Sequence, residues 1–326
     1  MSAYTIIVPD TALLQRVCGT NDSNLKLIED FLGVGIFACG NELSVDGASR
    51  ETEQQFRFII DRMLDEMSES DTSGSDGELL RSILNMGTTV YRKHTAMSAH
   101  AIFDSCSIAI PGALRKVYPR TAGQARLVQA LREADLVFAT GPAGSGKTFL
   151  AIAEALRLVL THQKKAIVLT RPVVEAGESL GYLPGDVEDK LNPYIRPLFD
   201  AMNAVLPRET VRKMAESGII EIAPLAYMRG RTLNDSVVIL DEAQNTTREQ
   251  MKLFLTRMGE GSKMFVTGDA TQIDLPRRTP SGLLHALSVL RSVDGIVHHE
   301  LSTDDVVRNS LVKKIIQAYE HEERQN

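Results

Sequence analysis

The stretch Gly141–Thr148, GPAGSGKT, limits what this 326-residue chain can fold into more than any other. It follows an apolar run, Leu136–Thr140, and precedes the helical pattern FLAIAEAL. The spacing Gly-x-x-x-x-Gly-Lys-Thr calls for a strand, a tight turn and a helix in that order. Small residues leave main-chain N–H groups bare at the positive end of the following helix. Such a loop is built for phosphate. Gly141, Pro142, Ala143, Gly144, Ser145 and Gly146 are expected to wrap a β-phosphate, Lys147 to neutralise the β- and γ-phosphates, and the Thr148 hydroxyl to bind Mg2+. No Asn-Lys-x-Asp guanine signature occurs, so the expected nucleotide is ATP.

A second element is VVILDEAQN, Val237–Asn245, an apolar strand that stops at two carboxylates. Asp241 is expected to hold magnesium through water, and Glu242 to polarise an attacking water molecule. A strand followed by a helix cap fits the same letters. The position of the pair, ninety-four residues after Lys147 with strands between, decides for the functional reading. A third element, FVTGDATQIDLP (Phe265–Pro276), resembles the γ-phosphate-sensing loop of superfamily 1 and 2 helicases, with Gln272 as the contacting residue. The plainer alternative is a polar turn capped by Asp269. A water-polarising Glu242 and a Gln272 sensor favour water as the acceptor over a small-molecule kinase substrate.

Apolar residues at 43% and charged residues at 24% describe an ordinary globular balance, with room for two domains. No basic stretch leads into an apolar run at the N-terminus, and no run approaches about 18 apolar residues, so neither a signal peptide nor a membrane span is expected. Cys18, Cys39 and Cys106 lack zinc-like spacing and are expected reduced, which places the chain in the cytoplasm. Charge is uneven. Asn21–Glu78 holds 14 Asp/Glu against 4 Lys/Arg, so this stretch carries −10 and the rest +4 of a total of −6. Contact with nucleic acid is therefore expected from the C-terminal part.

Residues 1–67 read as strand, helix, helix, strand, strand, helix: Tyr4–Val8, Thr11–Cys18, Asn24–Leu32, Val34–Ala38, Glu42–Val45 and Ser49–Met67, with a hairpin at Gly40-Asn41. This α+β order resembles a KH domain, which grips nucleic-acid backbone through a Gly-x-x-Gly loop. Here the loop is Gly19-Thr20-Asn21-Asp22, and the aspartate in place of the second glycine argues against strong RNA grip. Residues 68–118 read as a linker (Ser68–Glu78) and an irregular connection from about Lys93 to Gln124. From Pro119 strands and helices alternate, as in a parallel sheet covered on both faces. The expected strands are Leu136–Thr140, Ala166–Thr170, Ile219–Ala223, Val237–Leu240, Phe265–Thr267 and Gly295–His299.

Together with RPVVEAGESLGYLPGD, NPYIRPLFDAM, APLAYMRGRTLND and DVVRNSLVKKIIQAY, these motifs resemble the bacterial PhoH-like proteins over about Pro119–Glu320. The resemblance implies a RecA-like P-loop ATPase domain over 119–326, related to superfamily 1 motor domains, linked to RNA metabolism. It also implies association with a metal-dependent endoribonuclease of ribosomal RNA maturation. Gln124 is similar to the adenine-reading glutamine of these helicases; a residue that merely starts a helix is the alternative. One motor lobe lacks the arginine that a second lobe supplies, worth about 10³–10⁵ in rate. Arg308 of a neighbouring copy in a homo-oligomeric ring, such as a hexamer, is the candidate; an exposed helix arginine paired with Asp304 or Asp305 is the alternative. Arg171, Arg229 and Arg231 suit phosphate contact or structural pairing, and His298 and His299 read as a strand end. Two functions stay open: RNA-linked ATP hydrolysis, with or without unwinding, and a nucleotide-gated binding module with slow hydrolysis.

Overall fold

The computed structural model describes residues 4–8, 10–69, 76–91, 106–114, 116–172, 187–276 and 278–307. The chain divides into two units, Met1–Ala109 with Leu114–Ala122, and Ile110–Ala113 with Gly123–Asn326.

In the first unit, β1 (Tyr4–Ile7), β2 (Ile36–Cys39) and β3 (Glu42–Val45) form an antiparallel sheet in the order β1-β3-β2. Gly40, at φ 63°, turns the β2–β3 hairpin. The pleat sends Ile36, Leu43 and Val45 inward, against α1 (Thr11–Cys18), α2 (Ser23–Leu32) and α3 (Arg50–Glu69). α3 buries Phe56, Ile59, Ile60 and Met63, the three-and-four spacing of one helix face. The KH-like order of elements is present. In its Gly19–Asp22 loop, Asn21 and Asp22 are both left-handed, at φ 54° and 57°, and both are exposed. A side-chain-bearing residue thus takes the conformation that glycine holds without strain.

The stretch 68–118 is not the plain connection that its composition predicts. Residues 70–75 and 92–105 lie outside the described residues, but Asp76–Tyr91 forms α4, whose Leu79, Leu80, Ile83 and Leu84 complete the core of the first unit. Ser, Asp and Gly at its start mimic a linker, yet Asp76 takes a two-pronged bond from Arg16, at 2.9 and 2.8 Å. Tyr118 is buried in the same core with its hydroxyl 3.3 Å from Glu66, and burial together with that carboxylate pushes its phenol pKa up. We expect Leu80→Ala to cost about 2–5 kcal/mol in chemical unfolding of the full chain. An unchanged unfolding midpoint would return α4 to the status of a linker.

The second unit is a six-stranded sheet, every pair parallel, in the order β6-β5-β7-β8-β4-β9. The strands are β4 (Leu136–Thr140), β5 (Ala166–Thr170), β6 (Ile220–Ile222), β7 (Ser236–Leu240), β8 (Lys263–Gly268) and β9 (Ile296–Glu300). β4, β7 and β8 are buried along their whole length, because helices cover both faces of the sheet. On one side lies α6 (Lys147–Leu160), which follows α5 (Ala122–Glu133) in the chain. The other side packs α9 (Arg248–Leu255) and α10 (Gly282–Val289), through Met251, Phe254, Leu283 and Ala286. The remaining helices, α7 (Val187–Asn203) and α8 (Arg208–Glu216), lie between β5 and β6 in sequence. Two buried charges are compensated. Glu154 on α6 is paired with Arg157 at 2.6 Å and Arg132 at 3.6 Å. Lys263 donates to the carbonyls of Leu131, Arg132 and Ala134, at the negative end of α5, and burial lowers its pKa. Among the described residues no helix is long and apolar enough to cross a membrane.

Candidate nucleotide-binding site

In a parallel sheet the carboxyl ends of all strands share one edge, and ligands lodge in the crevice there. The residues that directly follow β4, β5, β7 and β8 meet at this edge. After β4 the chain turns through Gly141, Gly144 and Gly146, at φ 139°, 80° and 85°. A Cβ on Gly141 would collide with the Leu301 carbonyl, so the first glycine is also a packing requirement. Leu301 N–H donates to Thr140 O at 2.8 Å and Val307 N–H to Gly144 O at 3.1 Å. The segment after β9 therefore braces the loop from behind.

Inside the loop Ser145 is fully buried, its hydroxyl donating to Pro142 O at 2.8 Å. Gln124 lies in the first turn of α5, and its Nε2 donates to Ser145 O at 2.9 Å. Its amide thus supports the loop directly. Lys147 opens α6 and is 8% exposed, and its Nζ donates to Gly141 O at 2.6 Å and Pro142 O at 2.8 Å. The ammonium is held over the hollow of the loop.

The next residue, Thr148, donates its hydroxyl to Asp241 Oδ1 at 2.7 Å. Thr267 on β8, the strand between β4 and β7, donates to the same oxygen at 2.7 Å. Two hydroxyls and the flanking Arg171 Nε, 3.9 Å from Oδ2, hold a nearly buried carboxylate facing the loop. Among the described residues no group of three or more His, Cys, Asp or Glu is set to hold a metal by itself. A hydroxyl and one carboxylate side by side, next to a phosphate cradle, fit Mg2+, which takes one or two protein ligands and keeps several waters.

Glu242 has left-handed backbone, φ 53° and ψ 40°, a conformation costly to a residue with a side chain. Its carboxylate shares the Arg171 guanidinium with that of Asp241. Oε1 accepts from Arg171 Nη2 at 2.9 Å, and Oε2 from Gln244 Nε2 at 2.6 Å. Beyond β8, Asp269 Oδ1 accepts from Thr271 N–H at 2.9 Å and from its hydroxyl at 2.6 Å, while Asp269 Oδ2 is buried without a partner in the structure. Gln272 is exposed in the turn that follows, its N–H on Asp269 O at 3.1 Å. Arg308 lies outside the described residues.

The structure therefore brings the Gly141–Thr148 loop, Gln124, Asp241 and Glu242 to one edge of the sheet, with Gln272 in the neighbouring loop. Sequence reading missed Thr267 and Gln244. A threonine closing an otherwise apolar strand was the only signal for the first, and the amide after DEA for the second. Of the three arginines singled out, Arg231 is forked onto Glu221 at 2.5 and 2.8 Å, which holds that carboxyl below its usual range. Arg171 bonds Glu242, and Arg229 is exposed. His298 Nε2 meets Thr140 Oγ1 at 2.7 Å, and burial lowers its pKa.

A glycine loop joining a buried strand to a helix, closed by a lysine and faced by the acidic end of a parallel strand, defines a P-loop domain on a parallel α/β sheet. The chain belongs to the PhoH-like protein family, whose model matches residues 116–320. It is 45% identical over 322 residues to the PhoH-like protein of Bacillus subtilis (strain 168), spanning 96% of this chain and 95% of that one. The PhoH-like protein of Synechocystis sp. is 38% identical over 319 residues, 98% of this chain and 95% of that one. Protein PhoH of Escherichia coli (strain K12) aligns over 205 residues at 42% identity, 62% of this chain and 58% of its own length. Among solved structures, the large terminase of a thermophilic bacteriophage in complex with ADP overlaps 60% of this chain and 49% of its own, at 15% identity and a TM-score of 0.38.

Proposed function

We propose that this chain is a Mg2+-dependent ATPase acting in RNA metabolism. The observation that carries the reading is the meeting of Lys147, Thr148, Asp241 and Glu242 at one sheet edge, from two strands that are not neighbours. Main-chain N–H groups of Gly141–Gly146 and the Lys147 ammonium bind the triphosphate of the substrate. Thr148 and Asp241 would hold Mg2+, which supplies charge neutralisation on the phosphate oxygens. Glu242, whose carboxylate has hydrogen-bond partners distinct from the Thr148 and Thr267 hydroxyls on Asp241, orients and polarises the attacking water. Gln272 reports the terminal phosphate from its loop.

RNA is the proposed partner. Tyr227 is 59% exposed, with exposed Arg229 two residues on, in the loop that follows β6. An exposed aromatic ring with an exposed arginine two residues on suits a stacked, unpaired base and its phosphate. In the same reading the chain works as a homo-oligomeric ring, in which Arg308 of a neighbouring copy reaches the triphosphate, and docks an endoribonuclease of ribosomal RNA maturation. The gated-module alternative is favoured by one observation: Arg171 and Gln244 both occupy the Glu242 carboxylate, which suits a low resting rate.

Steady-state ATP hydrolysis with and without single-stranded RNA separates the two. We expect RNA to raise kcat several-fold in the wild type and much less in Tyr227→Ala, because a stacked base is worth about 1–3 kcal/mol. A rate indifferent to RNA would leave the gated module standing and remove RNA from the proposal.

A further inference from the structure

One buried side chain joins the acidic end of β7 to the loop that follows β8. Gln244 is 1% exposed. Its Nε2 donates to Glu242 Oε2 at 2.6 Å, while its Oε1 accepts from Asp269 N–H at 3.0 Å. The main chain at this point is pinned as well, since Ser281 Oγ donates to Gln244 O at 2.8 Å. Only one orientation of the amide serves both partners. Turned over, it would set its oxygen against a carboxylate and its N–H groups against a main-chain N–H.

Gly268 makes room for this link. A Cβ there would stand 2.9 Å from the Gln244 amide oxygen and 2.7 Å from Leu283 Cδ2. Beyond the link, Asp269 gathers the start of its loop. Its carboxylate takes the N–H and hydroxyl of Thr271, and its carbonyl takes Gln272 N–H. The chain of contacts therefore runs from Glu242 through Gln244 to Asp269, and from there to Gln272. Its middle step, from Gln244 to Asp269, crosses from the loop after β7 to the loop after β8.

We propose that Gln244 is a positioning residue that ties Glu242 to the Gly268–Gln272 loop, so that the loop's engagement with the terminal phosphate sets the Glu242 carboxylate for water activation. The proposal rests on the ATPase reading above. It assigns Gln244 no contact with the nucleotide. Removal of the link lowers the rate of the chemical step and leaves the binding of ATP in place.

The test is a kinetic double-mutant cycle on the full chain, with Gln244→Met and Gln272→Ala alone and together. Met is close to Gln in length and carries no amide. Gln244→Met is expected to lower kcat about 10–100-fold, the worth of one hydrogen bond to a charged group, with KM for ATP within about threefold of wild type. Gln272→Ala lowers kcat on its own, and in the double variant the two losses do not add, because one removes the loop's hold on the terminal phosphate and the other its link to Glu242, two ends of one coupling. Should Gln244→Met fail to fold, Gly268→Ala intrudes on the same link from the other side, and it is expected to show the same kcat loss at unchanged KM. Losses that add in full, a wild-type kcat in Gln244→Met, or equal damage to KM would each overturn the proposal. The two readings fail differently. A wild type that does not hydrolyse ATP removes the ATPase reading and this inference with it. A wild type that turns over, a Glu242→Gln that does not, and an active Gln244→Met remove the inference alone.

Discussion

Glu242→Gln is expected to lower the single-turnover rate of ATP hydrolysis by about 10²–10⁴-fold while ATP affinity stays within a few-fold of wild type. The substitution is nearly isosteric. It keeps an oxygen for Arg171 or for Gln244, so the surroundings of the side chain survive in outline. What it removes is the negative charge that draws a proton from water. Binding depends on the Gly141–Thr148 loop, whereas the bonds described for the Glu242 carboxylate go to Arg171 and Gln244. Rapid-quench hydrolysis beside equilibrium binding of a non-hydrolysable ATP analogue reads the two effects apart. A variant that turns over like the wild type would take Glu242 out of the chemistry and leave its left-handed backbone without a functional cause.

The strained conformation is informative for another reason. Asp241 and Glu242 are adjacent in sequence, and at the end of a regular strand consecutive side chains diverge by the pleat alone. Here the chain adds a left-handed residue, so that Asp241 takes the Thr148 and Thr267 hydroxyls while Glu242 takes the Gln244 amide, with the Arg171 guanidinium near both. The two negative charges thereby share the Arg171 guanidinium, and each has a further polar donor of its own.

Much of this was legible from local pattern. The Gly141–Thr148 loop announced itself because its letters are dictated by backbone geometry and phosphate, not by partners elsewhere in the chain. β4 and β5 begin and end where their apolar runs do. β7 and β8 extend one or two residues further, into Ser236, Lys263, Met264 and Gly268. Polar ends of buried strands are hidden when tertiary contacts satisfy them, as the carbonyls at the end of α5 satisfy Lys263. The helix Asp76–Tyr91 was masked by the Ser, Asp and Gly that precede and begin it, because its reason to fold is a core supplied by residues 8–67. Thr267 and Gln244 carried only a faint signal for a related cause. Thr267 bonds Asp241, and Gln244 bonds Asp269 as well as its neighbour Glu242, across strands whose pairing the fold alone determines.

The second large effect concerns the cradle itself. Lys147 is nearly buried and aims its ammonium at carbonyls of its own loop, Gly141 and Pro142. A buried ammonium costs desolvation unless it is well solvated by dipoles, and the loop carbonyls meet that cost. The triphosphate tail offers the same ammonium full negative charges. Lys147→Ala deletes the group that pairs with them and leaves the backbone turn in place, since the glycines and Gln124 hold that turn. Charge-assisted bonds to phosphate are among the strongest a side chain makes.

The most direct measurement is ATP affinity and turnover for Lys147→Ala beside the wild type, in the presence of Mg2+. We predict an affinity weaker by roughly 10–100-fold, with hydrolysis lost, from the removal of charged hydrogen bonds worth about 1.5–3 kcal/mol. A variant that binds ATP as tightly as the wild type and hydrolyses it as fast would contradict the assignment of Gly141–Thr148 as a triphosphate site.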